Sequence, residues 1–306
     1  MRRASSFALA TGLAACGLSV SGLEPLGNVD GGTTTPTDAT APEGSTDDDA
    51  ASEREPPRPQ DPDADPPTSD AGDVFLDDAG PITTPPACVL RALLLVDKDS
   101  TAETPMASAL TAAGFTVSTI GDYSKSNGEG VAAFDPRVVV LLAGVNYKLD
   151  ITGPLQTAVK NALAAGAGLV TEEWAGYEIL HSHFQGIAPY VLFSYSSFTN
   201  AVTTDFTKVT AHPIWNGLPS PFRTTKKIAF GIGKTRGTST ESIGTVSAPG
   251  VASQPGIIVR DNGKTRVAET TIAVDYYQDG SLGADPNIRR LFVNMALWAA
   301  HCDVPQ

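Results

Sequence analysis

The sequence predicts an α/β fold in which a mostly parallel, doubly wound sheet is followed by a second half of antiparallel strands. Two observations support this prediction. Between residues 88 and 173, short apolar runs alternate with segments of helical periodicity, which is the order of a parallel sheet covered by helices on both faces. From about residue 193 to 277, short β-type runs are separated by turns rich in Gly, Ser and Thr, which is typical of antiparallel pairing.

Four strands are expected in the first half. Each is a nearly continuous apolar run, as in a strand that is buried on both faces, and they cover residues 89–96, 115–120, 137–144 and 168–173. One helix is expected after the first strand, with Thr104 as its cap and Pro105 in its first turn. A second helix is expected over residues 153–165, before the fourth strand.

The second half contains its clearest signal in PGIIVRDNGKTRVAETTIAV. Its Asp-Asn-Gly sequence at 261–263 has the composition of a hairpin turn between two strands. Asp285 followed by Pro286 then predicts the start of a final helix, because an aspartate cap and a proline in the first turn favour that position. The apolar residues of IRRLFVNMALWAA recur at helical spacing, so this face is expected in the core.

The first 15 residues predict a lipoprotein signal peptide. Arg2 and Arg3 precede a short apolar run, and Leu-Ala-Ala before Cys16 matches the lipobox that precedes a lipidated cysteine. The apolar run is shorter than the ~18 residues of a membrane-spanning helix. Acyl chains on Cys16 would attach the protein to a membrane. By similarity to bacterial lipoproteins, Gly17 indicates the outer membrane, facing the periplasm or the cell surface. An ordinary cleaved signal with an incidental cysteine is the alternative.

Residues 16–86 predict a disordered, acidic, Pro-rich tether. The segment after Cys16 has 16 carboxylates and two arginines, and stretches such as TDDDAASEREPPRPQDPDADPPTSDAGD have almost no large apolar residue. The segment therefore cannot bury enough surface to offset its chain entropy. It accounts for the net charge of −13 and leaves the domain at 87–306 nearly neutral. Without a basic patch, nucleic acid is not expected as a partner. An acidic ligand-binding tail is the alternative for this segment.

The cysteines predict one disulfide. With Cys16 assigned to lipid, Cys88 and Cys302 remain, and they stand at the two ends of the domain. The predicted cell-envelope location permits disulfides. We therefore expect a Cys88–Cys302 bridge, with two unrelated thiols as the alternative.

Three motifs carry a resemblance to a known family. AHPIWNGLPSPF at 211–222, NGKTRV at 262–267 and DPNIRRLFVNMALWAA at 285–300 occur in the same order as in trehalose-utilisation-type (ThuA-like) domains. These domains belong to the class I glutamine amidotransferase-like superfamily, and the similarity covers nearly all of residues 88–301. The resemblance implies a flavodoxin-like three-layer sandwich with an added antiparallel section.

Ligands of open α/β sheets bind at the carboxyl ends of the strands. Residues that follow the expected strands are therefore candidates for ligand binding, together with the histidine of the AHPIWNGLPSPF motif. The candidates are Asp97, Asn146, Tyr147, Glu173, Trp174 and His212. For His212, capping a turn is the alternative to donating a proton.

The turn after the fourth strand decides the question of catalysis. True amidotransferases carry a cysteine nucleophile there, paired with a downstream histidine. This sequence has Thr171-Glu172-Glu173-Trp174, without Cys or Ser, and covalent acyl transfer needs such a nucleophile. Glutamine hydrolysis of that type is therefore excluded. Glu173, Glu172 and Asp97 remain candidates for a glycosidase-type carboxylate pair, unless they accept hydrogen bonds from loop amides and helix N-termini.

No cofactor is expected, and a metal site is only weakly indicated. His181 and His183 have a spacing that would project both rings to one side of a strand, where Glu172 or Glu173 could complete a site. They follow a short helix, however, where such a pair does not face together. Aromatic residues cluster between Trp174 and Tyr195, and exposed rings there would stack on sugars, although most are expected in the core.

Two functions follow from these observations. The first is a membrane-anchored surface lipoprotein whose non-catalytic domain binds a ligand, either a carbohydrate or a protein partner. The alternative is a carbohydrate-active enzyme that uses carboxylates at the strand ends.

Overall fold

A computed structural model describes residues 88–199, 202–274, 281–302 and 304–305. The expected signal peptide, the lipidation site Cys16 and the tether up to residue 86 lie outside the described residues.

Helices and strands alternate in the first half, and strands dominate the second. The helices are α1 (Glu103–Ala112), α2 (Val131–Phe134), α3 (Gly153–Ala164), α4 (Glu173–Leu180), α5 (Ser281–Ala284) and α6 (Pro286–Ala299). The strands are β1 (Arg91–Val96), β2 (Thr116–Ile120), β3 (Val138–Leu142), β4 (Gly168–Thr171), β5 (Phe193–Phe198), β6 (Asp205–Lys208), β7 (Phe222–Arg223), β8 (Ala229–Thr235), β9 (Glu241–Ala248), β10 (Val251–Asp261), β11 (Arg266–Thr270) and β12 (Ile272–Ala273). Among the described residues, no helix is both long and apolar enough to cross a membrane.

The larger sheet changes from parallel to antiparallel pairing. Its order within the described part of the chain is β2-β1-β3-β4-β11-β10-β9-β6-β7. The pairs from β2 to β11 are parallel, and those from β11 to β7 are antiparallel. A smaller antiparallel sheet has the order β12-β8-β5. The predicted parallel core and antiparallel second half are therefore confirmed.

Helices cover both faces of the parallel strands. Along β1, Ala92, Leu94 and Val96 belong to a core shared with α1 and α6. The alternating residues Leu93 and Leu95 belong to a second core shared with α3. Because successive side chains of a strand point to opposite faces, this alternation requires helices on both sides. The arrangement is the predicted three-layer sandwich.

Helix α1 begins two residues before its expected start. Ala102 occupies the cap position without a side-chain hydrogen bond, so the prediction that Thr104 caps this helix is wrong. Glu103 is the first helical residue, where a carboxylate is favoured by the positive end of the helix dipole. Pro105 still lies in the first turn, where no intrahelical partner is needed for a backbone N–H.

Two local predictions in the second half are confirmed. Asp285 caps α6 by accepting hydrogen bonds from the backbone N–H groups of Asn287 at 2.9 Å and Ile288 at 3.2 Å. In the hairpin between β10 and β11, the Asp261 carboxylate accepts from the Gly263 N–H at 2.8 Å. Gly263 has φ +82°, a conformation that glycine adopts without steric cost.

The Cys88–Cys302 disulfide is present, with a Cα–Cα distance of 5.4 Å. It joins the segment before β1 to the segment after α6, and it closes a loop with a sequence separation of 214. The predicted pairing is confirmed.

Candidate functional site

The carboxyl ends of four strands meet at one edge of the sheet, because β1, β3, β4 and β11 are parallel. We call this the C-terminal edge. It brings together most of the candidates predicted from the sequence, namely Asp97, Asn146, Tyr147, Glu172, Glu173 and Trp174.

Asp97 positions the loop after β3. It is fully buried, and its Oδ2 accepts hydrogen bonds from the backbone N–H groups of Asn146 at 2.7 Å and Gly144 at 3.3 Å. The Asn146 side chain donates in turn to the carbonyl of Lys98. Two predicted ligand-binding residues are thus engaged in holding neighbouring strand-end loops together.

Glu172 has a similar structural task. It is fully buried at the start of α4. Its Oε1 accepts from the Ala143 N–H and its Oε2 from the Val274 N–H, both at 2.8 Å. One carboxylate therefore accepts hydrogen bonds from amides that follow β3 and β12. Accepting hydrogen bonds from loop amides is the structural role that was the alternative to catalysis for this residue.

The turn from β4 into α4 has an ordinary backbone. Glu172 has φ −125° and ψ 178°, which is extended, whereas nucleophile elbows hold their nucleophile in a strained turn. Thr171 is fully buried before this turn. The turn provides neither a Cys or Ser nucleophile nor the strained geometry that would expose one.

Glu173 differs from its neighbour. It is only 2% exposed, and no side-chain hydrogen bond joins it to any residue that the structure describes. Burial, and secondarily the nearby Glu269, raise the pKa of Glu173 to about 8. Since its neutral form is favoured at pH 7, Glu173 can act as a proton donor rather than as a fixed anion.

Glu269 is the partner that the sequence analysis missed. It is fully buried on β11 and lies directly beside Thr171 of β4 in the parallel register. Burial raises its pKa to about 8, although the amides of Leu192 and Phe193 and the Thr171 hydroxyl act in the opposite direction. A single carboxylate within the buried run RVAET was the only sequence signal that could have indicated it.

Four aromatic rings contact one another in turn at the C-terminal edge, and we call them the aromatic row. Tyr147 is 60% exposed and stacks on Trp174 with ring centroids 6.5 Å apart. Trp174 meets Tyr177 at 4.6 Å, and Tyr177 meets Tyr195 at 5.3 Å, both edge to face. Gly144 makes room for this packing, because a Cβ there would come within 2.6 Å of the Trp174 ring.

The rings between Trp174 and Tyr195 are divided between core and surface. Trp174, Phe184 and Phe193 are buried, as expected. Tyr177 and Tyr195 are partly exposed, because a phenol can keep its hydroxyl in water while its ring packs. Tyr177 also lies close enough to Glu173 for that carboxyl to contribute to a raised tyrosine pKa, after burial as the main cause.

The two spaced histidines have different partners. His181 is exposed and its Nδ1 contacts the Tyr177 carbonyl at 2.9 Å, while the ring packs on Tyr177 at 4.1 Å. His183 pairs with the buried carboxylate of Glu178, which also accepts from the Lys148 N–H at 2.7 Å. The described residues contain no cluster of three metal-ligating side chains.

His212 lies away from the other candidates. Its Nδ1 accepts from the Ile214 N–H at 3.3 Å, and its ring packs edge-on against Trp298 at 4.9 Å. Trp298 in turn contacts Arg266, the first residue of β11, whereas Glu269 lies near the end of that strand. His212 therefore caps a turn at the opposite end of the sheet. Burial lowers its pKa, consistent with a neutral ring that accepts a hydrogen bond.

No protein-family model and no curated protein sequence matches the chain. Solved structures that are similar to it include a β-galactosidase from Bacillus circulans sp. alkalophilus, with 10% identity, a TM-score of 0.49 and coverage of 70% of this chain and 32% of that chain. A β-galactosidase from Rahnella sp. R3 has 12% identity and a TM-score of 0.46 over 71% and 32% of the two chains. PurLQS from Thermotoga maritima has 14% identity and a TM-score of 0.43 over 69% and 99%.

These similarities are weak. This chain spans about a third of the length of the two β-galactosidases. At such identities and TM-scores, the similarity says nothing about substrate or activity.

Proposed function

We propose that the described domain is a non-catalytic member of the class I glutamine amidotransferase-like superfamily, ThuA-like in its motifs, that binds a carbohydrate on its aromatic row. One observation carries this proposal. At the C-terminal edge, the Asp97 and Glu172 carboxylates are engaged by backbone amides, while Tyr147 is 60% exposed. The edge is therefore built to present rings rather than reactive oxygens.

The chemistry of the row suits a sugar. The C–H faces of a pyranose pack on aromatic rings, and the hydroxyls of Tyr147, Tyr177 and Tyr195 supply hydrogen bonds at their edges. Lys148 lies 6.0 Å from the Tyr147 ring centroid and adds a donor beside it. A protein partner that covers the same rings is the second class of ligand for this surface.

Thermal-shift measurements on the full chain test the proposal. Oligosaccharides at ~100 times their dissociation constant should add about 2.7 kcal/mol of stability, and Tyr147→Ala should abolish the shift. Val209→Ala is the matched control, because Val209 is 59% exposed on the surface but follows β6, outside the aromatic row. A sugar-dependent shift that survives in Tyr147→Ala would place the ligand elsewhere.

Attachment of the protein to the outer membrane is part of the same proposal. Acyl chains on Cys16 would hold the protein at the outer membrane, and the acidic segment to residue 86 would hold the domain away from the lipid surface. Incorporation of labelled palmitate should be lost in Cys16→Ser. Incorporation that persists in this variant would contradict lipidation at Cys16.

A carbohydrate-active enzyme remains the second candidate, because Glu173 and Glu269 form a buried pair of carboxyls with raised pKa values. A carboxyl that stays protonated near neutral pH is the state that a general acid requires. Glycoside hydrolysis that disappears in both Glu173→Gln and Glu269→Gln would support this function. Activity at background across the pH range would exclude it for the substrates used.

A further inference from the structure

A groove of about 900 Å³ lies between α1 and α6, on the face of the sheet opposite α3. We call it the interhelix groove. Most of its lining is apolar and comes from both helices and the residue before β1, including Leu90, Ala109, Ala112, Val293 and Leu297. Small-molecule sites have volumes of about 300–1,000 Å³ and combine apolar walls with a few polar groups. The interhelix groove is therefore large enough to hold a small molecule with an apolar body.

The groove has two distinct ends, because α1 and α6 lie side by side and run in the same direction. Their N-terminal ends meet where Pro105 of α1 packs near Gly283, just before α6; a Cβ on Gly283 would lie 3.6 Å from Pro105 Cγ. Their C-terminal ends meet near Leu90, whose Cδ1 would lie 3.3 Å from a Cβ on Gly114, which follows α1. The disulfide that joins the segment before β1 to the segment after α6 lies at this second end.

The polarity of the lining changes from one end of the groove to the other. Near the N-terminal ends of the helices, the lining includes the hydroxyl residues Thr104 and Ser108 and the cationic residues Arg289 and Arg290. Asn294 lies farther along α6, but its amide already donates to two backbone carbonyls at 2.9 Å. Toward the disulfide the lining is mostly apolar, with Leu90, Ala112, Ala113, Val293 and Leu297. An occupant with a polar head and an apolar tail would match this gradient.

The two arginines determine the charge of the head. Neither Arg289 nor Arg290 forms an ion pair or a side-chain hydrogen bond with a residue that the structure describes. Arg290 is nevertheless held in place, because its guanidinium packs on Gly217, where a Cβ would come within 2.4 Å of Arg290 Cζ. A guanidinium is a planar donor that can bind a carboxylate through two parallel hydrogen bonds. The polar end of the groove therefore fits an anionic carboxylate.

We propose that the interhelix groove binds a single-chain fatty acid, with its carboxylate beside Arg289 and Arg290 and its tail directed toward Leu297. Charge complementarity specifies the head, because two arginines without a described partner favour an anion. The length of the groove specifies the tail. From Pro286 to Leu297, α6 extends about 16 Å, which suits a medium-chain acyl group. This site shares no residue with the aromatic row, so it does not depend on the carbohydrate-binding function proposed above.

Isothermal titration calorimetry of the full chain with decanoate, kept below its micelle-forming concentration, tests the proposal. Decanoate should bind saturably, with one molecule per chain. Decanol has the same tail without the charge, and it should bind roughly ten-fold more weakly, because it cannot form charge-assisted hydrogen bonds with the arginines. Decanol that binds as tightly as decanoate would overturn the proposal, and so would decanoate uptake that never saturates.

A double substitution tests the site of the head. Arg289→Gln with Arg290→Gln should weaken decanoate binding roughly ten-fold and leave decanol binding unchanged. The matched control is Lys160→Gln with Lys234→Gln, which removes two exposed positive charges that do not line the groove and should change neither affinity. An equal loss of decanoate affinity in the control would reveal general attraction to positive charge and would overturn the proposal.

A larger side chain in the groove tests the site of the tail. Ala112 is exposed near the end of α1 and lines the groove, so Ala112→Trp should fill it without entering the core and should abolish binding of both ligands. Thr111→Trp is the matched control, because Thr111 is exposed on the same helix but does not line the groove. Thermal unfolding without ligand shows whether each variant is folded. Unchanged decanoate binding in the arginine variant or in folded Ala112→Trp would overturn the proposal.

Discussion

Gly231 of β8 lies directly against Glu173 of α4. A Cβ placed on Gly231 would come within 2.6 Å of Glu173 Cγ and 2.7 Å of the Phe193 ring. The absence of a side chain at Gly231 is thus what allows the small sheet to cover Glu173. The burial that raises the pKa of Glu173 to about 8 depends on this contact.

Gly231→Ala should therefore destabilise the domain. Adding a methyl group to a packed site forces side chains off their preferred positions and costs about 1–3 kcal/mol. Chemical denaturation measures the difference. The control is Gly153→Ala at the start of α3, where a Cβ meets nothing within 4 Å and where alanine should be neutral or stabilising by up to about 1 kcal/mol. Equal effects at the two positions would contradict the packing argument.

The buried carboxyl pair should make the domain less stable as pH rises. Glu173 and Glu269 have folded-state pKa values of about 8, against an ordinary value of 4.5. Between these values the unfolded chain has released protons that the folded domain retains. The free energy of unfolding should therefore fall by up to about 1.4 kcal/mol per pH unit for each carboxyl. The stability that the two neutral carboxyls contribute to the folded domain is fully present below pH 4.5, and it is lost as pH rises to about 8.

Denaturation at several pH values between 5 and 8.5 measures this slope. Glu173→Gln and Glu269→Gln should each reduce it, because glutamine does not titrate. The exposed Glu129→Gln should leave it unchanged. A slope that is identical in all three variants and the parent would show that the pair does not titrate in this range.

The sequence predicted the location of the site better than its chemistry. Local patterns were enough to place Asp97, Glu172 and Glu173 at strand ends, because strand boundaries follow from apolar runs. Whether each carboxylate binds amides or stays unpartnered depends on loops far away in sequence, as in the contact between Glu172 and Val274. Such contacts have no local signature.

Sequence patterns also missed one residue of the site, Glu269, and wrongly included another, His212. Glu269 reaches the site only because β11 inserts beside β4 and aligns with Thr171, a pairing that no local pattern specifies. His212 belongs to a motif with a recognisable sequence, yet the motif packs against α6 near Trp298, away from the C-terminal edge. A recognisable sequence motif therefore does not determine whether its residues lie at the candidate site.

Removal of the disulfide should cost substantial stability without changing the fold. The bridge between Cys88 and Cys302 closes a loop with a separation of 214, and in the chain-entropy model such a loop contributes about 5 kcal/mol. The double substitution Cys88→Ser and Cys302→Ser should lower the free energy of unfolding by about this amount. Intact-mass analysis with and without reductant verifies the bridge, and a parent protein with both thiols free would contradict it.

The neighbouring residues Glu172 and Glu173 should respond in opposite ways to the same substitution. Glu172→Gln replaces a carboxylate whose two oxygens accept from the Ala143 and Val274 amides. Glutamine has only one acceptor oxygen, so one buried amide loses its partner, at a cost of about 1–3 kcal/mol.

Glu173→Gln instead removes a carboxyl that is ionised in the unfolded chain but neutral in the folded domain at pH 7, so the variant should already be more stable than the parent there. At pH 8.5 the variant should keep this advantage, because neither proton uptake on folding nor a buried charge is required. Urea denaturation of both variants at pH 7 and 8.5 separates the two roles. If Glu173→Gln were as destabilising as Glu172→Gln at pH 7, Glu173 would have to be a structural acceptor, and both the catalytic candidate and the predicted pH slope would lose their basis.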